Sequence, residues 1–115
     1  MKTNIIVNLQ IEGIHSWPQA NEINPIVGFL SNNHRHIFHI ECKYEVYHDD
    51  RDREFIVFKR EINKYLKKEF YDNNHELLNF GAMSCEMIAK QLLKHFNLTY
   101  CSVLEDNENG ATCEK

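Results

Sequence analysis

The chain has 115 residues, 43% hydrophobic and 26% charged, which excludes a disordered segment and fits one globular domain over residues 1–115. A net charge of -4 supplies no basic surface for nucleic acid or an anionic membrane, and no apolar run approaches the roughly 20 residues of a membrane span. Met1 to Gln10 alternates and lacks the continuous apolar core of a signal peptide, so a cytoplasmic protein with free thiols at Cys42, Cys85, Cys101 and Cys113 is expected.

Thr3 to Ile14 places Ile5, Val7, Leu9 and Ile11 on one side, the period of a half-buried strand, with Gly13 at a bend or bulge near its end. Trp17 to Asn33 carries Pro18, Asn21, Asn24, Pro25, Gly28 and Asn32, and these punctuators predict a long loop. His34 to His48 is the clearest strand. His34, His36, Phe38, Ile40, Cys42, Tyr44 and Val46 share one face. After a polar turn, His48 to Glu54, the spacing of Phe58, Ile62, Tyr65, Leu66 and Phe70 predicts a helix.

Tyr71 to Met83 reads as irregular. A second helix is predicted from Ser84 to Phe96, with Ser84 as N-cap, Glu86 against the helix dipole, and Met87, Ile88, Leu92 and Phe96 on its buried side. Tyr100 to Glu105 and Ala111 to Lys115 read as short strands around a turn. The order is ββααββ, which predicts an α+β architecture: an antiparallel sheet with two helices on one face and the other face uncovered. A chain this short buries little surface by itself, and assembly of several copies is a natural way to bury more.

Seven histidines are an unusual count. His34 and His36 lie two apart on one strand, so both imidazoles point the same way and can share an ion. His15, at the end of the preceding strand, supplies a third ligand if those strands pair antiparallel. Three imidazoles with an open fourth position suit a catalytic zinc. The pair by itself equally fits half-exposed strand histidines. The four cysteines lack Cys-x-x-Cys spacing and do not suggest a thiolate site.

Read in order, several phrases resemble the 6-pyruvoyl/6-carboxytetrahydropterin synthase family. Ile11-Glu12-Gly13-Ile14-His15 stands where that family ends its first strand in a histidine. His34-Arg35-His36 stands for its His-Gly-His, and Asn74-His75-Glu76-Leu77-Leu78-Asn79 for its Asp-His-x-x-Leu-Asn. Met83-Ser84-Cys85-Glu86 is similar to its Pro-Thr-Ala-Glu, and Val103-Leu104-Glu105-Asp106, then Gly110-Ala111, to its Val-x-Glu-Thr, turn and Ala. The likeness runs from about His15 to Ala111.

The resemblance implies the tunnelling fold, a four-stranded antiparallel sheet with two helices, assembled as a homo-trimer or homo-hexamer with sites between subunits. It implies a lyase acting on 7,8-dihydroneopterin triphosphate or a related pterin. Zinc would sit on His15, His34 and His36, with His75 as the catalytic acid or base. Glu105 would hold the pterin's amino-pyrimidine edge, and Ser84 would line its pocket. The pattern departs at two places. Leu30 replaces the family's cysteine base, and Asn74 replaces the acid before the histidine. Leucine takes no proton; Asp72 and Glu22 are the acids near enough in sequence to be considered as substitutes. An alternative role is therefore a non-catalytic pterin- or purine-binding oligomer. Cys85, just after an N-cap, is either a thiol with its pKa lowered by the helix dipole or a buried structural residue.

Overall fold

In the computed structural model, which describes Met1–Lys115, two long strands carry the architecture. β1 (Thr3–His15) and β2 (His34–Val46) pair antiparallel over their whole length, from Thr3 opposite Val46 to His15 opposite His34. Their alternation decides the core. Val7, Leu9, Phe38, Ile40 and Cys42 are buried on one face, while Asn8, Gln10 and Glu12 of the other face are exposed.

The connection between these strands is partly helical. Within the predicted loop, α1 (Ala20–Ile23) and a 3-10 helix (Pro25–Ser31) form. Asn24 ends the first and caps the second, its side-chain oxygen accepting from Ile26 N–H, with Pro25 pre-set for the first helical position. The residues that read as punctuation are caps of very short helices.

α2 (Phe55–Phe70) begins three residues before the predicted stripe, because the Glu54 carboxylate caps Ile56 N–H. It buries Phe58, Ile62 and Leu66. Next, β3 (Tyr71–Asp72) and β4 (Leu77–Asn79) form a small antiparallel pair in the segment expected to be irregular. β4 also pairs with the end of β1, in parallel, Gly13 opposite Leu78. α3 (Cys85–Phe96) is capped by Ser84, whose Oγ accepts from Met87 N–H at 3.2 Å. Cys85, Ile88, Ala89 and Leu92 are buried; Met87, expected among them, is 54% exposed, being turned off that stripe. β5 (Tyr100–Glu105) and β6 (Asn109–Glu114) complete the chain.

The sheet is therefore six-stranded and mixed, in the order β3-β4-β1-β2-β5-β6, and the expected four-stranded antiparallel sheet with only two helices is corrected. The α+β class stands. Strands of two and three residues are too short to show a period; β4 exists by pairing with β1, and β3 by pairing with β4. One apolar cluster joins α2 and α3 to the inward residues of β1, β2 and β5, so both long helices cover one face. Gly13 is paired regularly with His36 and makes no bulge. Its missing Cβ has a different use: a Cβ there would stand 2.9 Å from Phe80 Cε2 and 3.2 Å from the Phe38 ring. No helix is long and apolar enough to cross a membrane.

Candidate metal centre

Strand pairing brings four ligand-type side chains to one end of the helix-covered face. His15 ends β1 and His34 opens β2 directly opposite it. His36 follows on the same face, and Glu105 ends β5 opposite Phe38, which has the same parity. Ring centroids are 4.5 Å apart for His15 and His34, 5.5 Å for His15 and His36, and 5.1 Å for His34 and His36. One ligand atom from each of these histidines and from Glu105 lies within 4.8 Å of the others, so the group can hold a metal ion. Phe38, fully buried, forms the floor: its ring stands edge-on to His15 at 5.2 Å, His36 at 5.7 Å and Phe80 at 5.1 Å.

Hydrogen bonds orient the rings. His15 Nδ1–H donates to the Met83 carbonyl at 2.8 Å and His34 Nδ1–H to the Asn32 carbonyl at 2.9 Å. A carbonyl only accepts, so these contacts assign the proton to Nδ1 and leave Nε2 for a cation. His36 Nδ1 meets Asp106 Oδ2 at 2.7 Å. On the inner side, Glu105 Oε2 lies 3.2 Å from His15 Nε2 and 2.7 Å from His36 Nε2. The second contact is close but not aligned, and His36 Nε2 is buried without a hydrogen-bond partner. Donor atoms bound at about 2.0–2.1 Å to one tetrahedral ion stand roughly 3.3 Å from each other. A bare imidazole lone pair facing a carboxylate repels it, so a proton or a metal cation belongs between them. Separation, orphaned nitrogen and donor chemistry all fit an ion.

Burial lowers the pKa of His34 below 6.5; nearby His15 and His36 add to this, against the opposing hydrogen bond to Asn32. That favours neutral imidazole, the form that binds metal. The Asp106 carboxyl is held below its ordinary value, first by His36 and then by Ile37 N–H. Cys85 behaves oppositely to a dipole-activated thiol: burial, with Glu105 and Glu86 nearby, pushes it up to about 12, so it stays a protonated thiol.

The centre opens into a cleft of about 560 Å³, within the size range of small-molecule sites. His15, His34 and Glu105 line it, together with Trp17, Leu30, Ser84, Cys85 and Met87. Leu30 thus presents an apolar wall where the resemblance places a base. Glu22 is exposed and does not line this cleft.

No family model matches the chain, and no curated protein matches it either.

His75 lies elsewhere. It sits in the turn between β3 and β4, half-exposed, and does not line the histidine cleft of its own chain. Its Nδ1–H donates to Asp72 Oδ2 at 2.8 Å, and Asp72 also accepts from Asn79 Nδ2 at 3.0 Å and from Asn74 N–H at 2.9 Å. Asp72, two residues upstream of Asn74, therefore supplies the carboxylate that Asn74 lacks. The Asn79 amide, then His75, then the Asn74 backbone pull its pKa from 3.8 to about 2. A depressed carboxylate stabilises the fold above its ordinary value, and that contribution is lost as pH falls from 3.8 through about 2. Asn79→Ala removes the largest of these causes. It is expected to return the Asp72 titration toward the ordinary carboxylate range, as read by carboxyl carbon NMR; an unmoved titration refutes the assignment.

Sequence reasoning found the three histidines through strand period and missed two partners. Asp106 follows Glu105 in what read as a turn, and nothing in a one-dimensional pattern links it to His36, 70 positions away. Glu105 was expected to meet substrate; the structure groups it with the histidines, as β2–β5 register requires.

Proposed function

We propose that this protein is a zinc-dependent pterin lyase of the 6-pyruvoyl/6-carboxytetrahydropterin synthase type, with an altered proton-transfer group. The observation that supports the reading is the grouped set of His15, His34 and His36 nitrogens, two of whose residues, His15 and His34, line a cleft. The substrate is 7,8-dihydroneopterin triphosphate or a related pterin. These histidines would hold a zinc ion, which would supply Lewis-acid polarisation of a side-chain oxygen and so acidify the adjacent C–H.

The chain's own groups do the rest. Glu105 lines the cleft with Oε2 turned to His15 and His36, which leaves Oε1 as an acceptor for an N–H of an amino-pyrimidine edge, and the Ser84 hydroxyl keeps its own proton to donate while its oxygen caps α3. Leu30 lines the cleft on the side where a base would stand and carries no proton itself. Proton transfer falls to His75, whose ring is held by Asp72. Since His75 lies outside its own chain's cleft, a second copy must present it, in a homo-trimer or homo-hexamer. The second reading, a pterin- or purine-binding oligomer without turnover, draws on Leu30.

Zinc-loaded protein incubated with dihydroneopterin triphosphate is expected to release triphosphate and to lose that activity in His75→Ala. Absence of turnover beside an active synthase overturns the lyase; tight pterin binding in that case favours the second reading.

A further inference from the structure

The β5–β6 hairpin turns through Asp106 and Asn107, whose φ values of +55° and +58° are left-handed, and it closes with Glu108 N–H donating to the Glu105 carbonyl at 3.0 Å. Asp and Asn are among the residues that accept this backbone at least cost. The turn holds Asp106 against the start of β2 at three points. Its N–H donates to the Ile37 carbonyl at 2.8 Å, its Oδ1 accepts from Ile37 N–H at 3.0 Å, and its Oδ2 faces His36 Nδ1 at 2.7 Å. Both carboxylate oxygens are thereby committed, and the group has little freedom to leave the ring.

We propose that Asp106 is a positioning residue of the metal centre: it keeps the proton of His36 on Nδ1 and turns Nε2 toward the ion. His15 and His34 are set by backbone carbonyls, which no side-chain substitution removes. His36 alone depends on a side chain, and a carboxylate behind an imidazole also raises its strength as a ligand. With Glu105 on the inner side and Asp106 behind His36, two negative charges flank the imidazoles. That balances a divalent cation and, with three nitrogen donors, favours a first-row transition ion such as Zn²⁺ over Mg²⁺ or Ca²⁺. The inference rests on the metal-centre reading and is independent of the reaction.

The test measures Zn²⁺ affinity by chelator competition, and the visible spectrum of the Co²⁺-substituted protein, in D106G and D106N. Glycine accepts the left-handed turn but offers no acceptor. D106G is expected to bind Zn²⁺ about 10- to 100-fold more weakly and to shift the Co²⁺ bands. D106N is isosteric and keeps one oxygen; it is expected to fall between D106G and the unaltered protein. A role confined to the turn would leave the D106G Co²⁺ spectrum unchanged. Unaltered affinity and spectrum in both variants, while His36→Ala loses the ion, overturns the role of Asp106 alone. Retention of the ion by His36→Ala overturns the centre itself and this inference with it.

Discussion

His36→Ala is expected to abolish stoichiometric metal binding and the stability that comes with it. An ion present at 100 times its dissociation constant stabilises the native state by about 2.7 kcal/mol, which raises the melting temperature of a domain this size by roughly 10 °C. The unaltered protein should gain that shift when zinc is added and lose it to a chelator. His36→Ala should show neither, because its ring contributes the buried, orphaned Nε2 of the group. His39→Ala is the control. His39 lies on the opposite face of β2, paired with Leu104 of β5, and its loss should leave metal binding intact. Zinc-dependent stabilisation that survives in His36→Ala rules out the centre.

Phe38→Ala is expected to destabilise the fold by about 3–5 kcal/mol, the usual cost of deleting a fully buried aromatic side chain. The ring sits where apolar core meets imidazole cluster, against Phe80 on one side and His15 and His36 on the other. Its removal leaves a void that the backbone beside Gly13 cannot fill, since that position carries no side chain. Denaturant unfolding measures the loss, and metal affinity should fall with it as two ligand rings lose their floor. Phe38→Leu keeps much of the apolar volume and should cost less. An alanine variant losing under about 1 kcal/mol would mean the ring supports nothing.

How much was legible follows from the length of each signal. β1 and β2 each run for thirteen residues, long enough for a period of two to place Val7, Leu9, Phe38 and Ile40 inward and to put His34 and His36 together. α2 and α3 gave stripes of several turns, with the one misplaced residue, Met87, at a stripe's margin. β3 and β4 have no period to read, and their connection, opened by Asn73 and Asn74, looks like any loop. The site divides the same way. His15 needed only antiparallel pairing with β2. Grouping Glu105 with the histidines required knowing that β5 lies beside β2, in register at Phe38. Asp72 as the partner of His75 required the β3–β4 turn to fold back on itself.

The placement of His15 opposite His34 has one more consequence. A slip of β2 by one residue against β1 would send His34 and His36 to the far side of the sheet and bring Arg35 and Ile37 inward. A slip of two keeps them inward and shifts them ~7 Å along the strand; in one direction it sets His36 opposite His15 in place of His34. An ion held by all three histidines is therefore incompatible with a one-residue slip of the two longest strands. Metal capture would then proofread which face of β2 turns inward as the chain folds, and uptake of the ion would report when that facing is native.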